Sequence, residues 1–193
     1  MRGGRTVFTG VEFELGAGDT LVLQGPNGSG KSSLLRLLAG FLTPAAGELA
    51  WAGQPISDDL SAQRARLHYV GHADAIKGLL SVRENLSFAL AVTGAPGGGA
   101  VDQALGGFDL LALAETPARL LSAGQRRRLA LARLLASDRP LWLLDEPGVG
   151  LDAANRRRLE AAVADRRDTG GITVLATHGD IAVPDALVLE MAG

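Results

Sequence analysis

Gly25-Pro26-Asn27-Gly28-Ser29-Gly30-Lys31-Ser32 is the stretch on which the reading of this chain turns. The apolar run Leu21-Val22-Leu23 precedes it, and Ser33-Leu34-Leu35-Arg36-Leu37-Leu38-Ala39 follows with helical spacing. The order is strand, glycine-rich loop, helix, with G-x-x-x-x-G-K-S at the turn. Glycines let consecutive backbone N–H groups converge on a phosphate with no Cβ in the way. The helix N-terminus adds its partial positive charge. Lys31 can reach β- and γ-phosphates, and the Ser32 hydroxyl can ligate Mg²⁺. Lys31 is one of only two lysines, the other being Lys77, so its place in this loop is hard to assign to chance. Gly25 to Ser32, with Ser33 behind them, form the expected phosphate-binding set, and the stretch implies a bound nucleoside triphosphate.

Two further segments complement the loop. Leu141-Trp142-Leu143-Leu144 is a continuous apolar run that suits a central parallel strand buried on both faces. It ends in Asp145-Glu146-Pro147. Asp145 at a strand's C-terminal edge can hold Mg²⁺, and Glu146 can polarise an attacking water as general base. Ile172 to Thr177 reads as another buried strand, running into His178, which can hydrogen-bond a γ-phosphate or the attacking water. A lone strand-end histidine is more often structural, and the catalytic reading of His178 depends on the other motifs.

Working outward, Val11-Glu12-Phe13-Glu14-Leu15 alternates apolar and polar, which predicts a half-buried strand. Gly47 to Ile56 reads as a strand and a tight turn, so antiparallel β structure is expected around the phosphate-binding unit. Leu67-His68-Tyr69-Val70 is a short strand ending at Gly71-His72. Ser81-Val82-Arg83-Glu84 has the form of a capping box opening a helix, and Gly94 to Gly99 reads as a flexible loop. Short helical segments are expected at Val101–Leu105 and Leu110–Ala114. Leu121-Ser122-Ala123-Gly124-Gln125 introduces a helix from Arg126 to about Ser137. A helix from about Ala153 to Asp168 and an edge strand at Ala186–Glu190 complete the pattern.

Bulk properties narrow the partners. The 193 residues carry a net charge of −2, which leaves no electrostatic footprint for nucleic acid. The arginine clusters at 126–128, 156–158 and 166–167 fall in helical stretches and read as solvated helix faces. There are no cysteines, which excludes disulfides and cysteine-ligated zinc and fits a reducing compartment. No stretch approaches the roughly 20 apolar residues of a membrane span, and no signal-peptide core is present. A cytoplasmic protein, soluble or peripheral, is expected.

Gly25–Ser32, Leu121–Gln125, Leu141–Glu146, Gly150–Asp152 and His178 resemble the Walker A, signature, Walker B, D-loop and H-loop motifs of an ABC-transporter ATPase, in the family's order and over nearly the whole chain. The resemblance implies an α/β P-loop fold with an N-terminal antiparallel β portion and an inserted helical subdomain at about residues 76–125, all within one ATPase domain. It implies ATP and Mg²⁺ as ligands. It also implies a homodimer in which each signature loop, through Ser122, Ala123, Gly124 and Gln125, caps ATP held by the partner's phosphate loop. Integral membrane subunits would couple the cycle to transport, with the ATPase peripheral on the cytoplasmic face of the bacterial inner membrane.

His72 stands where most of the family carries Gln, in a loop that helps ligate Mg²⁺. The segment Gly71-His72-x-x-x-Ile76-Lys77, with Glu84-Asn85-Leu86, Leu121 to Gln125-x-Arg127-Arg128 and Leu141-Trp142-x-Leu144-Asp145-Glu146-Pro147, is similar to the haem-exporter ATPase branch of cytochrome c biogenesis, the A subunit of the Ccm system. That implies haem export, or release of a haem-loaded chaperone, as the coupled work, with haem-pathway components as indirect partners. An ATPase for another small-molecule transporter and a low-turnover nucleotide-binding assembly module are the alternatives. In the family, a strand and an aromatic residue that stacks on adenine precede the segment equivalent to Gly3–Phe8. The chain starts after both, so that strand and that ring are expected to be missing. The glycines of Gly148-Val149-Gly150 replace larger residues and are expected to loosen the dimer contact.

Overall fold

A computed structural model describes residues 7–93 and 99–191. Five parallel strands form the central sheet: β1 (Thr20–Gln24), β4 (Leu67–Val70), β5 (Leu141–Asp145), β6 (Ile172–Ala176) and β7 (Leu187–Glu190), in the order β4-β5-β6-β1-β7. The apolar run at 141–144 occupies an interior position, and every residue of β5 is buried. Side chains alternate across the sheet, as the period of two requires. Leu141 and Leu143 join Leu21, Leu23 and Val174 in a core beneath α1 (Lys31–Leu38). Trp142 and Leu144 join Val22, Val70 and Leu175 in the core of the opposite face.

That second core is continuous with the helices inserted between β4 and β5. These are α3 (Val82–Thr93), α4 (Gly99–Gly107) and α5 (Ala123–Ala136), joined by 3₁₀ turns at Leu111–Leu113 and Ala118–Leu120. Val82, Leu86, Leu105, Phe108 and Leu131 are fully buried in it. The capping box at 81–84 forms: Ser81 N–H donates to Glu84 Oε2 at 2.7 Å and Glu84 N–H to Ser81 Oγ at 3.1 Å. Of the expected 94–99 loop, residues 94–98 lie outside the described residues, and Gly99 opens α4.

Helix α6 (Ala153–Asp168) lies between β5 and β6, and Asp152 caps it by accepting from Asn155 N–H at 2.8 Å. That bond and the one from the Asn155 amide hold the Asp152 carboxyl below the usual carboxylate range. A small antiparallel pair, β2 (Ala50–Trp51) with β3 (Gln54–Pro55), follows α1, and α2 (Leu60–Ala65) leads into β4.

The expected strand at 11–15 does not form. Val11 and Leu15 pack partly against the core under α1, but Phe13 points outward at 36% exposure. Alternation alone does not make a strand, which needs a ladder partner for its N–H and C=O groups. Among the described residues none pairs with this segment, so the antiparallel portion shrinks to β2 and β3. The edge-strand expectation holds: β7 pairs with β1 on one side only. Among the described residues, no helix is long and apolar enough to cross a membrane.

Candidate nucleotide-binding site

The phosphate loop joins β1 to α1 with three glycines in the left-handed region, Gly25 (φ 139°), Gly28 (φ 87°) and Gly30 (φ 102°). A Cβ on Gly25 would overlap the Met191 carbonyl, and one on Gly30 would lie 2.6 Å from Phe8 Cδ1. Glycine is required there on both conformational and steric grounds. Lys31 is 6% exposed, and its Nζ donates to the loop carbonyls of Gly25 at 2.6 Å and Pro26 at 3.0 Å. The ammonium thus folds back onto the loop's own backbone. Ser29 Oγ is buried in the same loop with no partner, a polar atom left for a ligand to satisfy.

Two strand ends bring the remaining groups to this loop. Sheet order sets β6 between β1 and β5, yet the Ser32 hydroxyl donates to Asp145 Oδ1 at 2.9 Å, spanning that strand. Asp145 is 2% exposed. Glu146 follows with φ 49°, a left-handed conformation unusual outside glycine. Its N–H donates to the Ala176 carbonyl at 2.9 Å, tying the turn to β6. One residue past Thr177, His178 Nε2 lies 3.4 Å from Glu146 Oε1, both side chains partly open to solvent. Adjacent strand residues would point to opposite faces, but the turn at Glu146 re-aims its carboxylate. Asp145 therefore faces the phosphate loop while Glu146 faces His178.

Not every expected residue joins this cluster. His72 is exposed on the loop after β4, one strand over from β5. Ser122 to Gln125 form the N-terminus of α5, where Gln125 N–H donates to Ser122 Oγ at 3.2 Å and Ser122 N–H to Gln125 Oε1 at 2.8 Å. The expected signature residues are thus a capping box in this chain. The position of a Cβ on Gly124 is 2.9 Å from the Gly150 carbonyl, so this segment abuts the 148–152 turn. Gly148 has its own reason to be glycine: a side chain there would run into Asp180 and Ile181.

Arg127 overturns the solvated-face reading of the 126–128 cluster. It is 5% exposed and donates from all three guanidinium nitrogens. The signal was available in the periodicity. Arg127 shares its stripe of α5 with buried Leu131 and Leu134, at helical spacing.

A family profile described as "ABC transporter" matches residues 8–149. The chain belongs to the ABC-transporter ATPase family. It is 54% identical over 194 aligned residues to the cytochrome c biogenesis ATP-binding export protein CcmA of Paramagnetospirillum magneticum, covering 99% of this chain and 89% of that protein. The protein of the same name from Rhodospirillum rubrum is 53% identical, with 99% and 82% covered. Among solved structures, the ATP-binding subunit of an ABC transporter superposes with a TM-score of 0.82 at 23% identity, over 92% of this chain and 75% of that one. A dimeric post-hydrolysis ATP-binding cassette bound to ADP and Pi superposes at 0.79 with 25% identity, over 89% and 80%. This ABC ATPase binds ATP and hydrolyses it in a cycle coupled to transport, on an α/β P-loop fold with a small antiparallel sheet.

Proposed function

We propose that this ATPase is the energy-supplying subunit of an export system in cytochrome c biogenesis, powering haem export or release of a haem-loaded chaperone. High identity over nearly the whole length of both chains supports that branch. The observation that carries the site assignment is the pairing of Glu146 with His178 at 3.4 Å, beside a phosphate loop already joined to Asp145.

In this reading Gly25 to Ser33 hold the triphosphate, with loop N–H groups and Lys31 as donors. Glu146 takes a proton from the attacking water as general base, and His178 orients that water and the γ-phosphate. The donor set fits Mg²⁺, a hard cation that prefers oxygen: the Ser32 hydroxyl and the buried Asp145 carboxylate would hold it, whereas the exposed imidazole of His72 is neither an oxygen donor nor in contact with them. When bound, the cation neutralises charge on the β- and γ-phosphate oxygens. Catalysis by the chain itself is then positioning and preorganised charge.

Two copies would stack head to tail, each offering the N-terminus of α5 to the partner's nucleotide. Membrane subunits would hold this dimer at the cytoplasmic face and convert its opening and closing into work.

The test is Mg·ATP turnover of the chain purified with its membrane subunits, wild type against Glu146→Gln. Loss of at least about 100-fold in turnover, with an ATP-stabilised dimer accumulating, is expected. Negligible wild-type turnover despite tight ATP binding would replace the motor with a nucleotide-dependent assembly module. Turnover that is indifferent to haem and apocytochrome partners would move the ATPase to another transporter.

A further inference from the structure

Arg127 has five N–H donors, and all five find acceptors. Nε donates to the Pro147 carbonyl at 3.3 Å. Nη1 donates to the Gly71 carbonyl at 2.7 Å and to Asp74 Oδ1 at 3.2 Å. Nη2 donates to the carbonyls of Asp145 at 2.9 Å and Glu146 at 2.7 Å. One buried side chain thus joins the start of α5, the loop that carries His72 and the turn that carries Glu146.

Three consecutive carbonyls, at 145, 146 and 147, converge on this one guanidinium. A strand cannot do this, because its successive carbonyls point in opposite directions. The chain meets the demand by taking Glu146 into the left-handed region, at φ 49°. That conformation is unfavourable for a residue with a Cβ and persists only where its surroundings over-determine it. The charge-assisted bonds from Arg127 contribute to that determination, beside the Glu146 N–H bond to the Ala176 carbonyl and the Val149 N–H bond to the Glu146 carbonyl. Without the bonds from Arg127, the turn would relax toward extended backbone and swing the Glu146 carboxylate away from His178.

We propose that Arg127 is a positioning residue for ATP hydrolysis, clamping Glu146 in its productive backbone conformation and locking that turn to the His72 loop. The inference rests on the reading of Glu146 as the group that activates water. Only an arginine offers five donors in a planar fork. A lysine keeps the charge but can serve at most three of the five acceptors.

The experiment compares wild type, Arg127→Lys, Arg127→Gln and Glu146→Gln in the full complex with its membrane subunits. It measures kcat and KM for Mg·ATP, the dissociation constant of ATP without Mg²⁺, and the unfolding midpoint. Folded R127K is expected to lose about 10- to 100-fold in kcat, while KM and ATP affinity stay within about twofold, because Arg127 makes no bond to the phosphate loop. A purely structural residue would instead lower ATP affinity and turnover together, and that result overturns the proposal. So does wild-type kcat in folded R127K. R127Q carries the same readouts if R127K does not fold, and failure of both to fold makes the residue structural and ends the proposal. Wild-type turnover in E146Q would sink the water-activating reading and the clamp with it. An inactive E146Q beside a fully active R127K would sink the clamp alone.

Discussion

Ser32 and Asp145 lie 113 positions apart in the chain, yet the serine hydroxyl donates to the carboxylate at 2.9 Å. The bond fastens the first turn of α1 to the end of β5 over the intervening strand β6. It also settles which of the two adjacent acids faces the phosphate loop, since Glu146 turns the other way toward His178.

That division of labour predicts different phenotypes for the two acids. Asp145→Asn keeps an acceptor for Ser32 and removes the charge. ATP binding without Mg²⁺ should persist, while turnover falls by at least about 100-fold and the Mg²⁺ concentration for half-activity rises. A magnesium titration of turnover checks this. Unchanged magnesium dependence in D145N would remove Asp145 from the cation site.

Much of this site was legible because its groups are local in sequence. The strand–loop–helix order of residues 21–39 and the apolar run ending at Asp145-Glu146 each carry their own context. The Val11–Leu15 strand misled because alternation reports burial of one face, not the presence of a neighbouring strand. Arg127 was hidden because charge runs are ordinarily solvated, and only its shared stripe with Leu131 and Leu134 pointed inward. Pro147 marked a turn at the end of β5, but the left-handed φ of Glu146 had no signal. It arises from acceptors that converge on a side chain nineteen residues away.

Ser122 caps α5, and the proposed dimer gives it a second role that one substitution can separate from the first. As the N-cap of α5 it accepts from Gln125 N–H, so Ser122→Ala should cost about 1 kcal/mol of stability. As part of the proposed dimer cap it should also weaken ATP-driven association. Ser122→Asp keeps the cap and adds a negative charge where a triphosphate would sit. S122D should therefore retain wild-type stability while losing the ATP-stabilised dimer. Denaturant midpoints and analytical ultracentrifugation with ATP give the two readouts. A dimer of undiminished strength in S122D would leave the capping box as the whole role of this residue.

The last prediction concerns acid stability and lies away from the nucleotide. His68 sits on β4, where its Nε2 is 3.2 Å from the Ser137 carbonyl and 2.9 Å from Ser137 Oγ. Burial lowers its pKa from 6.5 to about 4, the Ser137 carbonyl opposes the shift, and the charges of Arg139, Arg133 and Arg166 add to it. The folded state therefore refuses a proton that the unfolded chain accepts below pH 6.5. Stability is fully present above that value and is lost as pH falls toward about 4, where the folded form also titrates. By linkage the full loss is about 3 kcal/mol, and roughly 1 kcal/mol of it falls between about pH 7.5 and 5.5. His68→Gln retains a donor and an acceptor for Ser137 without titrating. Urea midpoints of both proteins across that interval should show a steeper acid loss in wild type by that margin. Parallel slopes would mean that His68 takes up its proton as readily in the folded chain as in the unfolded one.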